Sequence, residues 1–225
     1  DSIAKIFRYN EIKNALGKCT SARLNETYKN DYLEVVCSSD GLWHGKTTTF
    51  TDSRDGQVYK QTTIGTQTWM AENLNYFSCK IKNGSWCYDG KESNCDTYGR
   101  LYTWTAAMNI DDSFLKSYAN LSGTQRGNCP DGFHVPGDDE WQALYDVGVL
   151  DGADDMGFGV LYSGRYYFNK FVDMGREAYF WTSKEDKSEF GGPRNVEIWT
   201  VSETFGVGGG SVFKEDGQSV RCVKD

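Results

Sequence analysis

A helix in the central part of the chain can be read from its apolar positions. Trp141, Leu144 and Tyr145 recur at helical spacing, so this segment has one apolar face. The turn sequence Pro130-Asp-Gly comes before a short extended run that ends at a second proline. The pattern therefore predicts a helix over residues 138–147.

Elsewhere, short extended runs alternate with turns. A further helix is predicted over residues 99–108, where apolar residues again recur at helical spacing. Residues 206–211 are rich in glycine, so we expect a flexible loop there rather than a strand inside a sheet. Strands are predicted over residues 58–64, 68–70, 133–135, 179–182, 196–201 and 219–223.

The first 50 residues have a different pattern and are expected to form a separate module. An apolar repeat predicts a short helix that ends at Gly17. Two strands over residues 19–24 and 32–37 and a third that begins at Gly41 should follow. The predicted division is a helix-plus-β-hairpin module over residues 1–50 and a main domain over residues 51–225.

Composition narrows the class of protein. With 25 Gly, 7 Trp, 14 Tyr and 12 Phe in 225 residues, the core must be built from aromatic rings joined by glycine turns, which favours an α+β fold with long loops. The net charge of −8 disfavours nucleic acid and anionic lipid as partners. No apolar run approaches the ~20 residues of a membrane span, and residues 1–7 lack the apolar core of a signal peptide. An exported protein would therefore be in its mature form.

The seven cysteines indicate an oxidising compartment. Cys19 and Cys37 flank a hairpin-like segment, and Cys87 and Cys95 flank a short polar loop. None of these four lies in the paired Cys-x-x-Cys spacing that a zinc site requires. Disulfides are the favoured interpretation.

Six separated motifs carry a resemblance to a known family. From about Thr51 to the C-terminus, the chain resembles the Fibrobacter succinogenes major paralogous domain. The motifs are Asp52-Ser-Arg-Asp-Gly-Gln-Val-Tyr59, Ile64-Gly-Thr-Gln-Thr-Trp-Met-Ala-Glu-Asn-Leu74, Tyr98-Gly-Arg-Leu-Tyr-Thr-Trp104, Cys129-Pro-Asp-Gly-Phe-His-Val-Pro136 with Glu140-Trp141, Tyr179-Phe-Trp-Thr-Ser183 and Ser219-Val-Arg-Cys-Val-Lys-Asp225.

The family is similar in turn to the C-type-lectin-like fold, in the branch that includes formylglycine-generating enzymes. This resemblance implies two helices, short antiparallel sheets and long loops. It also implies a long-range Cys129–Cys222 bridge and a loop bridge between Cys87 and Cys95. Cys79 is then left without an obvious partner.

The same resemblance suggests copper and calcium as cofactors, and the residues argue against both. Formylglycine-generating enzymes use a cysteine pair with copper, but only Cys79 is left over here. Sugar-binding C-type lectins hold calcium with carboxylates, and this chain has Gly192-Pro-Arg-Asn195 at that place. No cofactor and no metal are therefore expected. A loop calcium among Asp151, Asp154 and Asp155 stays open.

Catalysis by the residues themselves is not expected. His44 and His134 are the two histidines, and no spacing pairs either of them with a serine or cysteine nucleophile. His134 is interpreted as a hydrogen-bonded structural residue. Adjacent carboxylates such as Asp138 and Asp139 are interpreted as solvated residues of the helix start.

The favoured function is binding by a non-enzymatic protein that is secreted or held on the outer cell surface. The ligand implied by the resemblance is plant-wall polysaccharide or another surface protein. The alternative is a structural subunit of a surface layer or filament that self-assembles through the N-terminal module or Cys79. A copper-dependent oxidase of the formylglycine-generating type is a distant third.

The candidate binding residues lie in stretches bounded by glycine, where aromatic faces could stack on sugar rings and arginine could hold a carboxylate. The other interpretation is that the aromatic residues simply alternate in a half-buried strand. The candidates are Arg165, Tyr166, Tyr167, Arg194 and Asn195.

A fold with long loops and few helices should depend on its cross-links and not on metal. A chelator should leave the melting temperature unchanged, and a thiol reductant should lower it. Differential scanning calorimetry with each additive measures both effects. A drop of several degrees with the chelator would reveal a missed calcium site.

Overall fold

The computed structural model describes residues 15–77, 84–148, 150 and 157–225, which form an α+β fold. The helices are α1 (Glu92–Tyr98), α2 (Trp104–Met108) and α3 (Asp138–Val147). The strands are β1 (Thr27–Lys29), β2 (Glu34–Cys37), β3 (Trp43–Gly45), β4 (Thr47–Thr51), β5 (Val58–Ile64), β6 (Gln67–Met70), β7 (Ser85–Trp86), β8 (Leu101–Tyr102), β9 (Phe133–His134), β10 (Arg165–Tyr167), β11 (Lys170–Val172), β12 (Glu177–Glu185), β13 (Asn195–Ser202), β14 (Gly206–Phe213), β15 (Gln218–Ser219) and β16 (Val223–Lys224). In this part of the chain no helix is long and apolar enough to cross a membrane.

Two sheets carry the main architecture. One has the strand order β4-β5-β6-β16-β9, and the other has the order β14-β13-β12-β15-β8-β7. The β5–β6 hairpin turns at Gly65, which has φ 61°, and its strands lie where the sequence predicts them. The segment that carries β15 and β16 enters both sheets, because β15 pairs with β12 and β8 while β16 pairs with β6 and β9.

A three-stranded sheet, β1-β2-β3, lies near the N-terminus. The predicted strand over residues 19–24 is wrong, since Ser21–Arg23 forms a 3-10 turn and the strand is β1. Asn25 explains the shift, because its φ of 66° turns the chain just before β1. Gly17 has φ 63°, as expected after a helix, but residues 1–14 of the predicted helix lie outside the described residues.

The small sheet packs against the core of the main sheets. Leu33 and Val35 belong to the same buried cluster as Trp69 and Trp141. Leu33 also forms a bridge with Ile64 of β5. The division into residues 1–50 and 51–225 stays a prediction.

The helices differ in part from the prediction. The helix predicted over residues 138–147 is confirmed by α3, and Glu140 Oε2 accepts a hydrogen bond from Gly137 N at 2.9 Å. The helix predicted over residues 99–108 is shorter, because β8 comes first and Thr103 then caps α2 by accepting from Ala106 N. Helix α1 was not predicted, since its polar sequence has no apolar repeat.

The expectation of a glycine-rich loop over residues 206–211 is also wrong. These residues belong to β14, which pairs with β13 along all eight of its residues. The strand lies at the edge of its sheet and is mostly exposed, so glycine leaves no hole in the core there.

Three disulfides cross-link the chain, and they join the pairs named from the sequence. They are Cys19–Cys37, Cys87–Cys95 and Cys129–Cys222. The last spans 93 residues and joins the segment before β9 to the segment before β16. Cys79 lies outside the described residues.

Aromatic side chains fill the space between the sheets. Trp69 and Trp181 are fully buried, and Trp199 is 4 % exposed, as the apolar runs around them predict. The ring of Trp141 on α3 stacks with Trp199 and lies 5.1 Å from the ring of Phe180. Helix α3 is thereby packed against β12 and β13.

Arg221 lies between β15 and β16 and is completely buried. Its Nε and Nη2 donate to Asn73 Oδ1 at 3.0 and 2.7 Å. Its Nη1 donates to the carbonyls of Met70 and Phe158, and its Nη2 also donates to the carbonyl of Gly159 at 2.9 Å. All of these acceptors are uncharged. Burial lowers the pKa of Arg221 to about 9, so the group is still charged at neutral pH.

A second buried cation holds the loop that follows α2. Lys214 Nζ donates to Glu185 Oε1 at 2.5 Å and to the carbonyls of Phe114 and Ser117. The carboxylate of Glu185 also accepts from the backbone N–H groups of residues 119 and 120. Burial raises the pKa of Glu185, but Lys214 and these N–H groups outweigh it and the net pKa is lowered.

The Arg221→Lys substitution should strongly destabilise the protein although it keeps the charge. Lysine lacks the planar fork of donors, so several of the buried oxygens around Arg221 would lose their partner. We expect a loss of about 3 kcal/mol or more in the free energy of unfolding, measured by urea denaturation. The exposed Arg176 offers the matched control Arg176→Lys. Equal stability of both variants would contradict this account.

Candidate ligand-binding surface

The hairpin of β10 and β11 presents aromatic side chains on a tight turn. Phe168 and Asn169 occupy the two turn positions, with φ values of 46° and 60°, as in a type I′ turn. Asn is well suited to such values, whereas a phenylalanine with positive φ is uncommon. The side chain of Phe168 is 67 % exposed, so this conformation holds a large apolar ring in solvent. Such an outlier is a reason to look for function here.

One face of the hairpin continues into a stack of half-buried rings. Tyr166 and Phe171 are opposite each other in the register, with ring centroids 5.0 Å apart. Tyr166 stacks on Trp86 at 4.4 Å, and Phe171 contacts Tyr88 at 5.1 Å. We call these four rings together with Phe168 the aromatic surface.

The loop disulfide and a glycine place the rings of the aromatic surface. Cys87 lies between Trp86 and Tyr88, and its bridge to Cys95 attaches this segment to α1. Gly217 exchanges two backbone hydrogen bonds with Tyr166, each 2.8 Å long. A Cβ atom on Gly217 would lie 3.0 Å from the ring of Trp86 and 2.8 Å from Cβ of Tyr166. Glycine at this position therefore lets the tryptophan ring lie over the chain.

The other face of the hairpin holds Arg165 and Tyr167. Adjacent residues of a strand point to opposite faces, so Tyr167 does not join the stack that contains Tyr166. The guanidinium of Arg165 lies over the rings of Tyr167 and Tyr179 and donates to Asp173 at 3.2 Å. These internal contacts occupy Arg165.

Arg194 and Asn195 lie at the start of β13. Arg194 donates to Glu215 Oε1 from Nε and Nη2, at 3.1 and 2.7 Å. Asn195 Nδ2 donates to Ser211 Oγ at 3.5 Å. Neither residue contacts a ring of the aromatic surface. Of the five candidates, Tyr166 belongs to that surface, and Tyr167 contacts it through the ring of Phe168 at 4.4 Å.

Asp216 lies between Glu215, the partner of Arg194, and Gly217, which pairs with Tyr166 of the hairpin. Its carboxylate is almost buried, and Oδ2 has no hydrogen-bond partner among the described residues. Burial raises the pKa of Asp216 to about 6, and the hydrogen bond from the backbone N–H of Phe213 and the charges of Arg165 and Arg194 oppose this rise. The two arginines are therefore linked through an acidic residue that sequence reasoning did not single out.

Sequence reasoning missed Trp86, Tyr88, Phe168 and Phe171 as members of one surface. Trp86 and Tyr88 are about 80 residues away from the hairpin in sequence, so no local pattern could group them. The sequence did contain two local signals for these residues. Two aromatic residues flank Cys87, and Phe168 is followed by Asn169, a residue typical of turns.

A polar cleft of about 740 Å³ lies on another part of the molecule, where α3 begins. His134, Ser183, Lys184 and Lys187 are among its lining residues. Its acidic lining consists of Asp138, Asp139, Glu140, Glu185 and Glu197. Burial raises the pKa of Glu197 despite its ion pair with Lys184 at 3.0 Å.

His134 lies between two carboxylates at the wall of this cleft. Its Nδ1 is 2.7 Å from Asp225 Oδ1, and its Nε2 is 2.8 Å from Glu140 Oε1. Burial lowers the pKa of His134, but its hydrogen bonds to the carboxylates of Glu140 and Asp225 outweigh this effect and the net pKa is raised. His134 thus ties α3 to the C-terminal segment.

Among the described residues, one group of side chains has metal-ligand distances. It consists of Cys87, Glu92 and Cys95. The two sulfur atoms are joined to each other in a disulfide and therefore are not free thiolates. The residues Asp151, Asp154 and Asp155, named from the sequence for a loop calcium, lie outside the described residues.

Comparison with known families finds a match in the central part of the chain. Residues 62–149 match the model of the Fibrobacter succinogenes major domain. The match covers less than half of the chain. The major domain carries Trp86, Tyr88, α3 and His134, whereas β10, β11 and the C-terminal strands lie beyond the matched residues. No curated protein and no solved structure matches the chain.

The contacts of His134 predict how the stability of the protein depends on pH. Because the folded-state pKa is raised, its stabilising effect is complete below the unfolded pKa near 6.5 and is lost as pH rises through the folded pKa. The His134→Gln substitution should therefore lower the melting temperature more at about pH 6 than at about pH 9. Thermal unfolding across this range measures the difference. The Glu140→Gln variant should show the same trend, and a loss independent of pH would contradict the account.

Proposed function

We propose that this chain is a non-enzymatic, exported binding or adhesion protein of the cell surface. In this proposal the aromatic surface contacts plant-wall polysaccharide or another surface protein. The observation that carries the proposal is the stack of Trp86 on Tyr166 in a hairpin whose turn holds the exposed ring of Phe168. Aromatic faces pack well against the C–H faces of sugar rings, and exposed rings on a rigid hairpin bind without much ordering.

The location of the protein rests on its cross-links. Three disulfides suit an oxidising space outside the cytoplasm. The C-type-lectin-like fold is supported by the Cys129–Cys222 bridge and by the pairing of Val223 in β16 with Trp69 in β6. That arrangement would leave the hairpin and the loops free to vary around a fixed scaffold.

An enzymatic role has less support. Both ring nitrogens of His134 are hydrogen-bonded to carboxylates, so neither is held toward Ser183 in the cleft. A copper-dependent oxidase of the formylglycine-generating type would need a thiol pair. Six of the seven cysteines are in disulfides, and the seventh is Cys79.

A structural subunit of a surface layer or filament is the second candidate. The outer edge of β14 favours it, because an exposed strand edge is a template for pairing between chains.

The Phe168→Asn substitution separates binding from folding. Asparagine accepts positive φ more readily than phenylalanine, so the melting temperature should stay the same or rise while the ring is lost. Binding to insoluble cellulose, xylan or pectin should fall about tenfold, as should binding by Tyr166→Ala, since each loses about one ring contact. A pull-down with each polymer measures the loss.

Phe190→Asn is the matched control, because Phe190 is 94 % exposed and lies outside the aromatic surface. It should bind as the unmodified protein does. Normal binding by Phe168→Asn and Tyr166→Ala, together with loss of binding after a change in the first 50 residues, would place the ligand on the N-terminal module instead.

A further inference from the structure

One outer edge of the six-stranded sheet is formed by β14. The strand pairs with β13 in continuous register from Asn195 opposite Phe213 to Ser202 opposite Gly206. No strand lies on its other side in the described part of the chain. This edge is unrelated to the aromatic surface and to any ligand bound there.

The direction of the backbone groups on this edge follows from the register. Lys214 N donates to the carbonyl of Arg194 at 2.8 Å, so this pair is a hydrogen-bonded pair of the antiparallel ladder. Such pairs alternate along the ladder. The even-numbered residues of β14 therefore bond to β13, and the odd-numbered ones turn their N–H and C=O groups outward. The outward residues are Val207, Gly209, Ser211 and Phe213, of which Phe213 already bonds to Asp216 with its N–H and its C=O.

The edge lacks the features that usually protect exposed strands. Residues 206–213 contain no charged residue and no proline, and the register with β13 shows no bulge. A Cβ atom on Gly208 would meet nothing within 4 Å, so the centre of the edge is open. Main-chain groups at this edge can pair with another strand without moving a side chain.

We propose that β14 pairs antiparallel with β14 of a second copy of this chain and joins the two six-stranded sheets. The proposed register places Gly209 opposite Ser211 of the other copy, so that the outward groups of these two residues bond to each other, and it places Val207 opposite Phe213. The two-fold axis then passes between the two copies of Gly210. Such an interface is closed, so the product is a dimer.

The glycines favour a second copy over an unrelated strand. At the two-fold axis the central residue of the strand faces its own equivalent, so a charged side chain there would repel its copy and a bulky one would clash with it. The non-hydrogen-bonded pair at Gly210 brings Cα atoms to about 4.5 Å, the closest approach in an antiparallel ladder. Gly208, Gly209 and Gly210 leave that approach free of side chains. The copies each carry a net charge of −8, but no charged side chain lies within either strand.

A charge-swap experiment tests the axis at Gly210. The full chain should form dimers by sedimentation velocity in a Cys79→Ser background, which excludes an intermolecular disulfide through that residue. The Gly210→Lys and Gly210→Glu variants should each raise the dissociation constant about tenfold or more, because like charges then meet on the axis. An equal mixture of the two variants should restore the dimer.

A second pair of variants tests the strand edge itself. Gly209→Pro removes an outward N–H but no hydrogen bond to β13, and it should also abolish the dimer. Gly208→Ala is the control and should leave the dimer intact, since its Cβ meets nothing. The melting temperature of each variant shows that it is folded.

Two results would overturn the proposal. One is a chain that stays monomeric at the highest concentration tested. The other is a dimer that Gly209→Pro and Gly210→Lys leave unchanged, which would assign self-association to another surface.

Discussion

A buried guanidinium with no carboxylate partner is the interaction on which the rest of the fold depends. Removing the Arg221 charge from water is costly, and only a full set of hydrogen bonds offsets that cost. Asn73 and three backbone carbonyls provide the set, and they come from the end of β6, from the segment after it and from the loop at residues 158–159. Arg221 therefore joins three distant parts of the chain at the place where the C-terminal segment passes from one sheet to the other. The Cys129–Cys222 bridge closes the same region covalently.

Lys214 is a second buried cation, and a different set of partners stabilises its charge. Its ammonium is a compact charge, so one buried carboxylate and two carbonyls suffice to hold it. The loop that follows α2 supplies the carbonyls, and Glu185 supplies the charge from the end of β12. This pair places Glu185 at the polar cleft as a structural group rather than a free acid.

The aromatic surface depends on the contact between the six-stranded sheet and the β10–β11 hairpin. Trp86 is positioned by the loop disulfide, and Tyr166 is positioned by the two-stranded hairpin. Gly217 lies between them, just before β15. Apart from Phe168 at the turn, each ring is half-buried and contacts another ring, so the stack is held rigidly while one side of it faces solvent. A rigid surface of this kind suits a ligand with extended flat faces, because little entropy is lost in ordering the protein.

The sequence by itself determined those features that repeat locally. The apolar positions of α3, the β5–β6 hairpin, the buried tryptophans and the motifs of the major domain were all legible, because each depends on neighbours within about ten residues. Tertiary structure alone decided the rest. Helix α1 has no apolar repeat and is held by a disulfide and by packing, and the glycines of β14 form a strand because β13 provides a complete ladder. The five predicted binding residues were separated, since alternation along β10 turned Tyr166 and Tyr167 to opposite faces and the ladder placed Arg194 beside Glu215. Trp86 joined Tyr166 only because the C-terminal segment brought β7 and the hairpin together, a contact between residues about 80 positions apart that no local pattern records.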